Sequence, residues 1–205
     1  MPSPRQAAPF RLLFGALALV AVSRQLAVTI AYAQSLVSFI SFFTNLANLL
    51  AAATFVWGGV RALNGRSESP GFDRLRLVNT ANMTVVGIVF HVLLRNTDLG
   101  LLIAWVNVVV HYVMPAAVVL DWVIAPPRRK LGAADWWWCW PMPLAYLLYS
   151  MARGALTGWY PYPFLRPEVT GGYAGVAVYV AAIMVLFVGV GALAVWTANR
   201  RVAAR

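Results

Sequence analysis

Four side chains stand out for the chemistry that they could support. Thr44 and Asn48 lie in the stretch SFISFFTNLANLL, and Asn107 and His111 lie in WVNVVVHYVMP. Both stretches are otherwise apolar. A polar group left without a partner in hydrocarbon costs roughly 2–7 kcal/mol, so these four must bond to one another, to backbone or to a ligand. A neutral imidazole can take or give a proton near pH 7, a hydroxyl can be activated by such a base, and amides can donate and accept. Two readings stand at this point. Polar pairs between membrane helices are ordinary glue, worth about 0.6 kcal/mol each. Ionisable residues within a membrane are candidates for function, and His111 and Arg24 both qualify.

Composition says what must position these residues. Of 205 residues, 61% are hydrophobic and 11% charged. A soluble domain has about 45–50% apolar and about 25% charged residues. A core this small cannot hide that excess, so the surrounding solvent must itself be apolar. The net charge of +10 is the signature of basic cytoplasmic loops. No basic face with interleaved aromatics lies outside the apolar runs, which argues against nucleic acid as a partner. The single Cys139 excludes an intramolecular disulfide and a cysteine-rich metal site. No metal or cofactor is expected. Arg outnumbers Lys fifteen to one, a bias that GC-rich bacterial genomes produce.

About 20 apolar residues are needed to cross a bilayer as a helix. Six segments are predicted to do so, at about 10–31, 36–60, 78–95, 99–124, 136–152 and 174–198, making one all-α transmembrane domain over the whole chain. The first resembles a signal peptide at its basic start, but its apolar character resumes after Arg24 and Gln25, so it is read as a retained helix. Arg5 and Arg11, then Arg61, Arg66, Arg74 and Arg76, then Arg128, Arg129 and Lys130, then Arg200, Arg201 and Arg205 fall on one side. Arg95, Arg153 and Arg166 fall on the other. Both termini are therefore expected in the cytoplasm, with the protein a multi-pass component of the inner (plasma) membrane. DWWWCWP reads as an interfacial aromatic belt, and Pro141 and Pro143 are expected to kink the fifth span.

A rise of 1.5 Å per residue puts Thr44 and Asn107 about 12 Å below the outer surface, and Asn48 and His111 about 18 Å below it. Gln34, Ser38, Ser41, Thr44, Asn45 and Asn48 fit one arc of about 120° on the second span. Asn107 and His111 share a face four residues apart. The second and fourth spans are thus expected to turn their polar edges toward each other in the outer half of the bundle. His91, near the surface, reads as structural. Asp121, near the cytoplasmic edge, is expected to pair with an arginine or cap a helix.

Three motifs then carry a resemblance. TGWYPYPFLRP, between the last two spans, resembles the TG-W-YPFL segment of the androgen-induced-gene membrane hydrolases. FFTNL resembles that family's segment around its threonine, and HYVMP its histidine followed by a proline. The six-span layout and motif order are similar as well, most closely to the bacterial branch known as Pr-six-Pr family membrane proteins. The eukaryotic relatives hydrolyse fatty acid esters of hydroxy fatty acids. The resemblance implies a threonine nucleophile and a histidine partner, which here are Thr44 and His111, acting on a lipid-like ester among membrane lipids. In the eukaryotic pattern the histidine stands one residue farther from its proline, so the register around His111 is the point to check. Asn48 or Asn107 is expected to bind substrate or donate to the oxyanion. No third group that would orient His111 is evident in the sequence.

The alternative is a non-catalytic membrane protein, either a small transporter or a structural or regulatory subunit. Transporters show repeated halves and broken helices, and no internal repeat is evident here. Haem or quinone ligation by His91 and His111 would join depths about 12 Å apart, which disfavours it. Oligomeric state is not encoded in any motif of the chain.

Overall fold

In the structure, a computed structural model that describes residues 4–66, 69–98 and 100–203, the chain is helical throughout, with no strand among the described residues. Five helices are long and apolar enough to cross a membrane, at Gln6–Ala31, Phe43–Leu63, Pro70–Leu94, Ala104–Ile124 and Tyr173–Ala203. The first belongs to α1 (Pro4–Ala31). The second is α3 (Phe43–Leu63), preceded by the short α2 (Leu36–Ile40). The third is α4 (Pro70–Val89), extended by a π-helical turn over Phe90–Leu94. The fourth consists of α5 (Ala104–Val108), a π turn at Val109–Val113 and α6 (Met114–Ile124). After α7 (Ala133–Trp137) come α8 (Pro141–Thr157) and the short α9 (Pro167–Thr170). The last long helix is α10 (Tyr173–Ala203).

Two expectations need correcting. The second span is not one helix, because the chain breaks at Ser41–Phe42. Local side chains satisfy the carbonyls at that break: Asn45 Nδ2 donates to Phe39 O at 2.7 Å, and Ser41 Oγ donates to Val37 O. Polar residues on a helical arc also bond to nearby backbone, and here that competition ends the helix. The second correction concerns Pro141 and Pro143. They do not kink α8 but open it, in the first turn, where a missing N–H costs nothing. At 17 residues, α8 is about 26 Å long, shorter than the roughly 30 Å hydrocarbon core.

The main core lies where α1, α3, α4 and α6 meet. Ala18 and Ala21 of α1 face Ala47, Ala51 and Ala52 of α3, all fully buried. Side chains this small let two backbones approach closely, and dispersion then holds them where lipid offers no hydrophobic drive. α4 starts at Ser69, whose Oγ accepts from the Phe72 N–H, with Pro70 at its first position.

Near the end of α6, Asp121 accepts from two buried arginines. Arg11 Nε donates to Oδ1 at 2.6 Å, and an Arg76 terminal nitrogen donates to Oδ2 at 2.8 Å. Arg76 also reaches the Asp121 and Ala125 carbonyls. The expected arginine partner of Asp121 is therefore two partners, joining α1, α4 and α6. A second cluster ties Asp135 of α7 to Arg129 and Arg74 at 2.7 Å each. The Arg129 guanidinium holds the Asp135 carboxyl well below the usual carboxylate range, with Arg74 and the Gly132 N–H adding to the effect.

Candidate functional site

The break at Ser41–Phe42 places Thr44 in the first turn of α3. Phe42, at the cap position, provides no side-chain acceptor, so the first amides of α3 must find partners elsewhere. The Thr44 N–H donates to the Tyr162 hydroxyl at 3.3 Å. The kink itself is gripped from α8: Arg153 donates to Ser41 Oγ at 2.7 Å and to Ser38 Oγ at 3.0 Å, and Tyr146 donates to Ser41 O. The Arg153 guanidinium also lies 4.0 Å from the centre of the Trp159 ring, a cation–π contact.

His111 comes from the π turn of the fourth long helix. Its Nε2 lies 3.3 Å from Thr44 Oγ1. Its Nδ1 lies 2.6 Å from Asn107 Oδ1 and 3.2 Å from Asn107 O. Both groups near Nδ1 are acceptors, so Nδ1 carries the hydrogen and Nε2 the lone pair. The Thr44 hydroxyl then donates to Nε2. The imidazole stacks on Phe90, with ring centres 3.7 Å apart and planes at 14°. Phe90 opens the other π turn, so two local widenings of the helical ladder supply the two stacked rings. Such bulges re-aim side chains and recur at functional sites. Gly87 allows the two helices this close: a Cβ there would sit 3.1 Å from Pro115 Cβ and 3.5 Å from His111 O.

The aromatic-rich segment TGWYPYPFLRP folds back so that Tyr162 reaches Thr44. Tyr160 packs so tightly on Gly154 of α8 that any larger residue there would overlap its ring. Tyr162 stacks on Phe164 and meets Phe42 edge-on. On the other side, Gln25 of α1 pins the segment before α5. Its Nε2 donates to Leu101 O and its Oε1 accepts from the Ile103 N–H, both at 3.1 Å.

Two cavities meet at Thr44. The larger, about 700 Å³, is polar in part, with Gln25, Gln34, Ser38, Asn45, Asp98, His111 and Arg166 among its walls. The smaller, about 90 Å³, is lined by α4, α8 and α10 and is almost wholly apolar. Thr44, Tyr162, Phe90 and Leu94 border both.

The four side chains singled out at first fall into three positions. Thr44 and His111 are brought together, buried to 8% and 6% exposure. Asn107 lies behind His111 as its hydrogen-bond acceptor, supplying the orienting group that was not evident in the sequence. Asn48 is fully buried, and its Nδ2 donates to Thr44 O at 2.9 Å and Val110 O at 3.1 Å. Both of its hydrogens are thus engaged in joining α3 to the fourth long helix. Arg24 is exposed on the outside of α1, away from the cavities. His91 is exposed too, 3.2 Å from Arg95. Tyr162 and Phe90 were not singled out. Tyr162 lies within the YPYPFL motif, and that motif was the only signal that could have found it; Phe90 has none, since it looks like any apolar residue of its helix.

Compared with models of known protein families, with curated proteins and with solved structures, the chain matches none of them.

Proposed function

We propose that this integral membrane protein hydrolyses lipid esters, with Thr44 as nucleophile and His111 as the base that activates it. The observation that carries the reading is the chain Thr44 Oγ1, His111 Nε2, His111 Nδ1, Asn107 Oδ1, with steps of 3.3 Å and 2.6 Å. A nucleophile, a base and a group orienting the base is the arrangement that makes a hydroxyl reactive. The contact of 3.3 Å is near the working range of about 2.6–3.2 Å and typical of a site without substrate. The resemblance to the androgen-induced-gene hydrolases points to the same pair.

In the first step, Thr44 Oγ attacks the ester carbonyl carbon while its proton passes to His111 Nε2. Negative charge gathers on the carbonyl oxygen. With both Asn48 hydrogens and the Thr44 N–H engaged, the donor we assign to that oxygen is the Tyr162 hydroxyl, which accepts from the Thr44 N–H at the positive end of α3 and can donate its own hydrogen. The bond to the alcohol oxygen breaks, and His111 returns the proton to it. A water then gives a proton to His111 and attacks the acyl-threonine, releasing the acid and restoring Thr44. The 700 Å³ cavity has ample room for that water.

The finer placement belongs to the same proposal. With α8 as a sixth, short span, both termini lie on the cytoplasmic side of a bacterial inner membrane, as the distribution of arginines supports. The test is covalent. A long-chain fluorophosphonate incubated with the purified protein is expected to attach to Thr44, located by the mass of the modified peptide, and a long-chain ester is expected to compete with it. Modification elsewhere, or none, rejects the nucleophile. Asn107→Ala leaves His111 Nδ1 the weaker backbone acceptor alone. Losing one net hydrogen bond of about 0.5–1.5 kcal/mol is expected to slow turnover by about 2–12-fold, read from initial rates.

A further inference from the structure

The catalytic groups are shared unequally between the two cavities. Thr44 borders both, whereas His111 borders only the larger one, whose walls are partly polar. This asymmetry orients an ester. The proton that Thr44 Oγ gives to His111 Nε2 must next reach the alcohol oxygen as its bond to the acyl carbon breaks. That oxygen must therefore depart on the His111 side. The acyl carbon stays bonded to Thr44 Oγ, and its chain must extend away from His111. The remaining space next to Thr44 is the apolar slot, walled by Val86 of α4, Leu147 of α8, and Ile183 and Phe187 of α10. At about 90 Å³ the slot encloses the first few carbons of an alkyl chain, offering them dispersion contacts and nothing to hydrate, and its half-open form leaves the rest of a longer chain outside. The chamber on the other side is apolar over much of its wall but also carries Gln25, Gln34, Asp98 and Arg166, which suit the polar end of an alcohol.

Resting on the reading of Thr44 as nucleophile and His111 as base, we propose that the slot between α4, α8 and α10 is an acyl-chain subsite, and that the alcohol of the ester is a polar molecule released into the larger chamber. The enzyme then selects its substrate by the acid and tolerates variation in hydrophilic alcohols. After the first half-reaction the acyl group stays in the slot on Thr44 Oγ, while the alcohol has left with the proton from His111. Water entering through the larger chamber reaches the acyl carbon from the His111 side, where its proton is taken up.

Ethyl decanoate and decyl acetate test this directly. They are isomers with equal numbers of every atom, and they differ only in whether the long chain is on the acid or the alcohol. The purified wild type is expected to hydrolyse ethyl decanoate faster by roughly tenfold, the scale on which apolar pockets discriminate. Ile183→Trp, which fills the slot, is expected to remove that preference while labelling of Thr44 by a short-chain fluorophosphonate, which needs no room in the slot, persists and reports an intact site. Leu147→Trp fills it from α8 and should do the same. Equal or faster turnover of decyl acetate by the wild type overturns the proposal, as does a preference that survives both substitutions. If neither ester is hydrolysed and no acyl group forms on Thr44, the nucleophile itself is wrong, and the subsite falls with it.

Discussion

A Thr44→Ala protein is expected to take no label from a fluorophosphonate and to turn over no long-chain ester, while a His111→Ala protein keeps the hydroxyl and loses about 10²–10⁴ in rate. The two losses differ for a physical reason. Alanine at Thr44 removes the atom that bonds to the acyl group, so nothing remains to be modified. Alanine at His111 removes only the acceptor for the hydroxyl proton and leaves the oxygen beside the Thr44 N–H and Tyr162. Thr44 is in the first turn of α3 and borders both cavities, so its truncation should not unfold the bundle. Labelling rates of the two variants against wild type decide the matter. Equal labelling of wild type and His111→Ala would mean that the histidine is no base, whatever its distance from Thr44.

The largest effect on stability is expected at Asp121. Its carboxylate accepts from Arg11 and Arg76, with exposures of 1%, 3% and 5% for the two arginines and the aspartate. Taking one member from a buried ionic group costs about 3–5 kcal/mol, because the opposite charges stay behind. Asp121→Asn keeps the shape and removes the charge. Its thermal midpoint in detergent is expected to fall by about 6–20 °C. Asp135 provides the contrast, since Arg74 is 41% and Arg129 29% exposed, and such pairs contribute about 0–1 kcal/mol each. Asp135→Asn should therefore shift the midpoint far less. If both variants melt alike, the buried cluster is not a strut.

Much of the fold was legible because membrane helices follow from composition and length alone. The apolar runs located all five long helices, and the polar arc on the second run identified which neighbour it would face. The details at the site were less legible, and each miss has a cause. A helical arc of polar residues looks the same whether those side chains bond across to a neighbour or back to their own carbonyls, so the break at Ser41–Phe42 was hidden. It also spoils a depth reckoned from an unbroken rise, which separated Thr44 from His111 by one turn. The π turns at Phe90–Leu94 and Val109–Val113 lie beside the close approach of Gly87 to Pro115, a contact between segments that neither one shows by itself. Asn107 was read as a donor because amides can be either donor or acceptor, and only the tautomer of His111 selects between them. Tyr162 reaches Thr44 across 118 residues; its motif was noticed as a resemblance before any role for its hydroxyl was.

The buried arginines also bear on biosynthesis. Arg11 precedes Asp121 by 110 residues and Arg76 precedes it by 45. While the ribosome is still making the intervening chain, neither cation has that carboxylate to meet, and both remain with cytoplasmic water in the proposed orientation. In that orientation they would resist translocation and fix the direction of the first helices. Once α6 arrives, its aspartate draws the same two residues inward. In that proposed orientation one pair of side chains would act first as a signpost for insertion and later as a latch, and the Asp121 contacts can form only after the fourth long helix has emerged.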